Sequence, residues 1–191
     1  MREAKVSRKT KETDISLCLC LDGGGVKIST GIGFFDHMLE AFAVHGKLGL
    51  TVECRGDLHV DGHHTVEDVG IVLGDALKQA IGDKRGINRF GHSYVPMDEA
   101  LALTALDLSG RPFHVYQAAM PQEKCGDYET CLTQEFMRSF AMAGGVTLHQ
   151  RAFYGDNAHH ITEALYKSLG RALHAAVRIV GTELASTKGV L

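Results

Sequence analysis

The chain has no strong excess of one charge: 20 Lys and Arg stand against 23 Asp and Glu, a formal net charge of −3. Such a balance lacks the electrostatic footprint of a nucleic-acid binder or a polybasic membrane anchor, and a small-molecule ligand is expected instead. Long apolar runs are also missing, so no membrane span is expected. The opening MREAKVSRKTKETD is charged where a secretory leader is apolar, which points to the cytoplasm. CxxC pairs are absent. The five cysteines, Cys18, Cys20, Cys54, Cys125 and Cys131, are odd in number and scattered, so neither a disulfide framework nor a thiolate zinc site is indicated. The one glycine run, Gly23 to Gly25, has no lysine and helix after it to make a phosphate cradle, and reads as a turn.

What is present begins with 191 residues at 45% hydrophobic content, enough for a buried core, and with eleven histidines. Ala4 to Lys9 and Ile15 to Leu21 read as strands, and DGGG (22–25) as a hairpin turn into a return strand, Val26 to Thr30. A helix from Phe34 to Val44, a strand from Gly49 to Cys54 and a helix from His63 to Ile81 follow. The second half repeats this order. Strands are expected near Ser93 to Val95, Leu101 to Leu108 and, after SGRP (109–112), Phe113 to Gln117. A helix from Tyr128 to Met142, a strand from Val146 to Arg151 and a helix from Ala158 to Ile179 complete it. A shift of 96 places lays Gly49, Thr51, His63, His64, Glu67 and Gly74 on Gly145, Thr147, His159, His160, Glu163 and Gly170. Upstream, a shift of 98 pairs His37 with Glu135 and Phe42 with Phe140, which calls for a loop two residues shorter between those helices and the next strands. The pattern implies an α+β fold built by duplication. Each unit is a four-stranded, mostly antiparallel sheet with two helices on one face, over 1–88 and 89–191, and the helices of the two halves pack together.

The repeated HHxxE carries the chemistry. On a helix, His63 and Glu67 share a face and can share a metal, whereas His64 is rotated by about 100° and serves a different ligand set. The same holds for His159, Glu163 and His160. Using all six side chains gives two sites, His63–Glu67–His160 and His159–Glu163–His64, formed within one chain or between subunits, with His37 and Glu135 as candidate fourth ligands. Imidazole and carboxylate without thiolate suit Mn²⁺, Fe²⁺ or Zn²⁺. In the HExxH of zinc proteases the glutamate lies between the ligands as a base, so HHxxE is a poor protease motif. His92, His114, His149 and His174 lack partners at ligand spacing and read as surface or core histidines; Asp98 suits either a turn or a place near the site.

GIGFFDHMLEAF (31–42), DGHHTVEDVGI (61–71), RFGHSYVPMDEAL (89–101), DLSGRP (107–112), DNAHHITEALYKSLGRAL (156–173) and STKG (186–189) together resemble the imidazoleglycerol-phosphate dehydratase family over nearly the whole chain. The resemblance implies a hydro-lyase of histidine biosynthesis that converts imidazoleglycerol phosphate to imidazoleacetol phosphate with two Mn²⁺ per active site. It further implies a homo-oligomer of 24 subunits whose sites form where subunits meet. It assigns His63, Glu67, His160 and His37 to one metal, and His64, His159 and Glu163 to the other. Many members carry His where this chain has Glu135. Glu163 and His45 are implied for proton transfer, with Glu67 also catalytic and Glu12 contacting the substrate hydroxyls. His37 and His45 line the substrate, and Arg89, Arg111, Ser186 and Lys188 hold its phosphate. The tail from Ser186 to Leu191 is expected to order on ligand binding. A metal-storage protein and a phosphate-releasing metallohydrolase are the rival readings.

Overall fold

Apolar residues alternate along TDISLCLC and GLTVECRG, so Ile15, Leu17 and Leu19 of one strand and Leu50 and Val52 of the other are buried on one face. The computed structural model describes residues 1–189. The first half comprises β1 (Glu3–Lys9), β2 (Thr13–Cys20), β3 (Val26–Ser29), α1 (Gly33–Gly46), β4 (Gly49–Gly56) and α2 (His63–Ile81). The second comprises β5 (Phe90–Met97), β6 (Ala100–Asp107), β7 (Phe113–Gln117), the short pair β8 (Lys124–Cys125) and β9 (Tyr128–Glu129), α3 (Leu132–Gly144), β10 (Thr147–Tyr154) and α4 (Ala158–Val177). The fold is α+β and duplicated, with sheet orders β1-β2-β4-β3 and β5-β6-β10-β7.

DGGG is not a hairpin turn. Strand β4 lies between β2 and β3, antiparallel to the first and parallel to the second. The parallel pair needs a crossover, and α1 supplies it, so β3–α1–β4 forms a βαβ unit and β3 never meets β2. The glycine run crosses the end of β4 instead: Leu50 N donates to Gly25 O at 3.0 Å, and Gly23 takes φ 98°. SGRP works alike, since β7 pairs in parallel with β10. Mostly antiparallel remains the right description of each sheet.

Two further differences concern the repeat. Helix α3 starts at Leu132 rather than Tyr128, because Tyr128 and Glu129 pair with Cys125 and Lys124 in an extra hairpin. That hairpin lengthens the connection before α3 and drives the buried Tyr128 ring against Phe34 and Phe35 of α1, with centroids 5.3 and 6.0 Å apart. The two-residue shortening also falls elsewhere. Both β4 and β10 follow the shift of 98, with Gly49 paired to Cys20 and Thr147 to Asp107, and the left-handed helix ends are Lys47 and Gly145. The change to 96 therefore occurs in the loop after the strand, and the Gly49–Gly145 match is coincidental.

The helices lie between the sheets, α1 packed on α4 and α2 on α3, so each pair joins the two halves. Glycines set the approach. A Cβ at Gly74 would stand 2.6 Å from Phe140 O and 2.7 Å from Gly144 N, while one at Gly170 would collide with Phe42 O and lie 3.0 Å from Gly46 N. Backbone cannot yield as a side-chain tip can. Gly170→Ala is expected to lower stability by about 1–3 kcal/mol through overpacking, read from a denaturant midpoint with unchanged slope. A midpoint equal to the wild type would show that α1 and α4 have room to separate.

Candidate metal centre

The helix pairing decides which ligands meet. In the α1–α4 seam, His37 lies beside the first turns of α4, so that His37, His159 and Glu163 offer ligand atoms all within 4.8 Å of one another. Glu163 Oε2 stands 3.2 Å from His159 Nε2 and 3.5 Å from His37 Nε2. In the α2–α3 seam, His63, Glu67 and Glu135 form the corresponding trio, with His63 Nε2 3.7 Å from Glu67 Oε2. Neither half builds a trio alone. Each takes two residues from an HHxxE helix and one from the preceding helix of the other half.

Within one chain, His37 joins His159 and Glu163 rather than His63 and Glu67, and Glu135 joins His63 and Glu67. Within one chain the sets His63–Glu67–His160 and His159–Glu163–His64 are not brought together, because the second histidine of each motif turns out of the seam, as its rotation about the helix requires. His64 Nδ1 lies 3.0 Å from Asp57, and its Nε2 is 3.8 Å from Glu12. His160 Nδ1 lies 2.7 Å from Glu99, with Nε2 3.7 Å from Asp98. Asp98 occupies the β5–β6 turn with φ 46°. The Asp57 carboxylate raises the pKa of His64, and Glu99 raises that of His160 while its own falls to about 2 through the same hydrogen bond. A carboxylate on Nδ1, which keeps Nε2 for the ion, is the usual arrangement behind a metal-binding imidazole.

Cations hold the trio carboxylates. Lys167 Nζ is 2.7 Å from Glu163 Oε1. Burial raises the Glu163 pKa, but Lys167, His37 and His159 outweigh it, and the carboxyl lies below its ordinary value. Arg138 contacts both Glu135, at 2.6 Å, and Glu67, at 3.6 Å. His45 stands two turns beyond His37 on α1; burial, then Lys167 and Arg171, push its pKa down, which favours neutral imidazole.

The phosphate candidates gather elsewhere. Arg89 Nε and Nη2 donate to Asp107 at 2.7 and 3.0 Å, Arg111 Nη2 is 3.8 Å from the same carboxylate, and Arg89 Nη1 donates to Ala185 O at 2.6 Å. Ser186 and Lys188 follow directly, with Lys188 N 3.2 Å from Ser186 Oγ. Val190 and Leu191, part of the tail expected to order on binding, lie outside the described residues. Arg89 N also donates to Ala176 O, near the far end of α4. At 1.5 Å per residue that is about 20 Å from Glu163 along the helix. Within one chain these residues and the His37 trio therefore lie well apart, so a site that uses both needs more than one copy.

Sequence reading missed Lys167, Arg138, Asp57, Glu99 and Asp107. Lys167 and Arg138 carried a local signal, four places after Glu163 and three after Glu135. Glu99 is the counterpart of Glu12 under the shift of 87 that relates β1–β2 to β5–β6. For Asp57 and Asp107 only the tertiary contact shows the role.

The donor chemistry fits a divalent transition metal: both trios mix imidazole nitrogen with carboxylate oxygen, and neither contains thiolate. Residues 30–173 match the family model described as imidazoleglycerol-phosphate dehydratase. Curated proteins named imidazoleglycerol-phosphate dehydratase from Acetivibrio thermocellus and Bacillus anthracis are 57% and 55% identical, over 100% of this chain and 99% and 100% of theirs. The crystal structure of the Staphylococcus aureus enzyme of that name superposes with TM-score 0.85 at 37% identity, covering 93% of this chain and 99% of that one. The Pyrococcus furiosus structure, in complex with (S)-C348, gives TM-score 0.86 at 36% identity over 97% and 100%. Two seams that each assemble an imidazole–carboxylate trio thus sit in a chain that belongs to the imidazoleglycerol-phosphate dehydratase family.

Proposed function

We propose that this chain, a member of a hydro-lyase family, removes water from imidazoleglycerol phosphate to give imidazoleacetol phosphate in histidine biosynthesis, with two Mn²⁺ per active site. The observation that carries the reading is the pair of trios, His37–His159–Glu163 and His63–Glu67–Glu135, each crossing between halves. His64 and His160 of neighbouring copies complete them, since each is held by a carboxylate at Nδ1 and turned out of its own seam. Bound there, the cations would supply Lewis acidity that makes the substrate imidazole easier to deprotonate, and so a better electron source for expelling the neighbouring hydroxyl. The chain's own groups do the rest. Glu163, ionised and held by Lys167, accepts the proton from carbon. His45, neutral but close to cations, exchanges a proton with the departing hydroxyl, and Glu12 accepts hydrogen bonds from the substrate hydroxyls. Loss of that proton and of the hydroxyl gives an enol, which becomes the ketone.

The phosphate is gripped by Arg89, Arg111, Ser186 and Lys188 of another copy, because one chain holds them about 20 Å from its own Glu163. That separation supports a closed homo-oligomer, read as 24 subunits, with each site shared. Among the described residues no helix is long and apolar enough to cross a membrane; the reading places the enzyme in the cytoplasm.

The test is to incubate Mn²⁺-loaded protein with imidazoleglycerol phosphate and assay ketone and free phosphate separately. Ketone without phosphate is expected. Phosphate release without ketone would establish a metallohydrolase instead, and neither product from an intact assembly would end the enzymatic reading.

A further inference from the structure

The two trios are not chemically equal. One has two imidazoles and a carboxylate; the other has one imidazole and two carboxylates, because Glu135 stands where the repeat places His37. Two carboxylates around one position repel each other and, with four oxygens between them, can open into bidentate ligands. Calcium favours that arrangement, since it takes six to eight oxygens in flexible geometry.

Arg138 lies one turn beyond Glu135 on α3. Its Nε and Nη2 both donate to Glu135 Oε2, at 3.1 and 2.6 Å, and Nη2 stands 3.6 Å from Glu67 Oε1. The guanidinium thus hydrogen-bonds one oxygen of Glu135 and lies within ion-pair range of one oxygen of Glu67, while Glu67 Oε2 faces His63. The first trio uses the same device once: Lys167 takes Glu163 Oε1, and Oε2 faces His159 and His37. An ammonium suffices for a single carboxylate. Two carboxylates need the planar fork of an arginine, which reaches both from a fixed spacing.

The geometry points to Arg138 as the positioning residue that sets cation selectivity at the oxygen-rich site. By hydrogen-bonding one oxygen of Glu135 and drawing one oxygen of Glu67 electrostatically, it biases both towards single-oxygen ligation and offsets the charge that Glu135 adds. The site then resembles its imidazole-rich partner and rejects a large, oxygen-seeking cation. This inference rests on the trios being metal sites.

Purified Arg138→Met, which keeps the apolar stem, is loaded with Mn²⁺ and titrated with Ca²⁺ while free Mn²⁺ is read by electron paramagnetic resonance. Assembly is checked by light scattering. Wild type is expected to retain both equivalents, whereas the variant releases about one of two at roughly tenfold lower Ca²⁺ than wild type needs. Arg138→Lys should fall between them. The double variant Glu135→His/Arg138→Met should recover wild-type resistance, because an imidazole has no second oxygen to restrain. Unchanged selectivity in Arg138→Met, or no recovery in the double variant, overturns the role of Arg138 and leaves the trios as metal sites. A wild-type protein that binds no Mn²⁺ at either trio overturns both.

Discussion

Replacing Glu163 by Gln is expected to lower turnover by about 10²–10⁴-fold, the range associated with loss of a positioned proton acceptor. The substitution keeps shape and volume, so packing in the α1–α4 seam survives. What it removes is the charge on a carboxylate only 6% exposed, which faces His37 and His159 through one oxygen and Lys167 through the other. An amide cannot take a proton from carbon, and it leaves the Lys167 ammonium without its counter-ion. Steady-state kinetics and metal content should be measured on the same preparation. A collapse of kcat with Mn²⁺ retained assigns Glu163 to proton transfer, and loss of one Mn²⁺ equivalent assigns it to the metal. Turnover like that of the wild type would remove the first trio from the site altogether. Glu67→Gln serves as the comparison, because its carboxylate lies in the other seam and should affect the second metal alone.

The second large effect is recovery of activity on mixing two inactive variants. Glu163→Gln damages the metal end of α4, and Arg111→Ala damages the phosphate set near the other end. Each homogeneous assembly is expected to be nearly inactive. Co-expressed under two tags and purified for both, they should regain activity at about a quarter of the sites, because an intact site then pairs a trio from one variant with Arg111 from the other. The expectation follows from the length of α4: about 20 Å of helix separates Glu163 from Ala176, whose carbonyl accepts from Arg89 N. No recovery in verified mixed assemblies would mean that one chain supplies both sets, and would require a rearrangement of the tail around Arg89.

Much of the site was legible because its signals are local. HHxxE on a helix fixes which side chains share a face, and its recurrence in matching order exposed the duplication. That adjacent histidines face different ligand sets needed only the turn per residue of an α-helix. The choice of partners was not legible. His37 meets His159 because α1 packs on α4 through Gly170 and Gly46, and nothing near His37 in the chain encodes that pairing. DGGG failed for the same reason: a turn and two flanking strands look like a hairpin until β4, more than twenty residues later, occupies the place between them.

The repeat register shows how coincidence enters. Gly49 and Gly145 match by letter, yet the ladders pair Gly49 with Cys20 and Thr147 with Asp107, so a two-residue change belongs to the loop before α4. Residue identity recorded similarity, and hydrogen-bond register recorded equivalence. By itself, the sequence determined the α+β duplication, the family and the residue types that can hold metal and phosphate, since periodicity and motif are properties of neighbours along the chain. Only the tertiary structure decided that each trio crosses between halves, that Arg138 and Lys167 hold the carboxylates, and that Arg89 and Arg111 lie far from the His37 trio of their own chain. Those facts depend on helix pairing and helix length, which bring together or keep apart residues that the linear order does not relate.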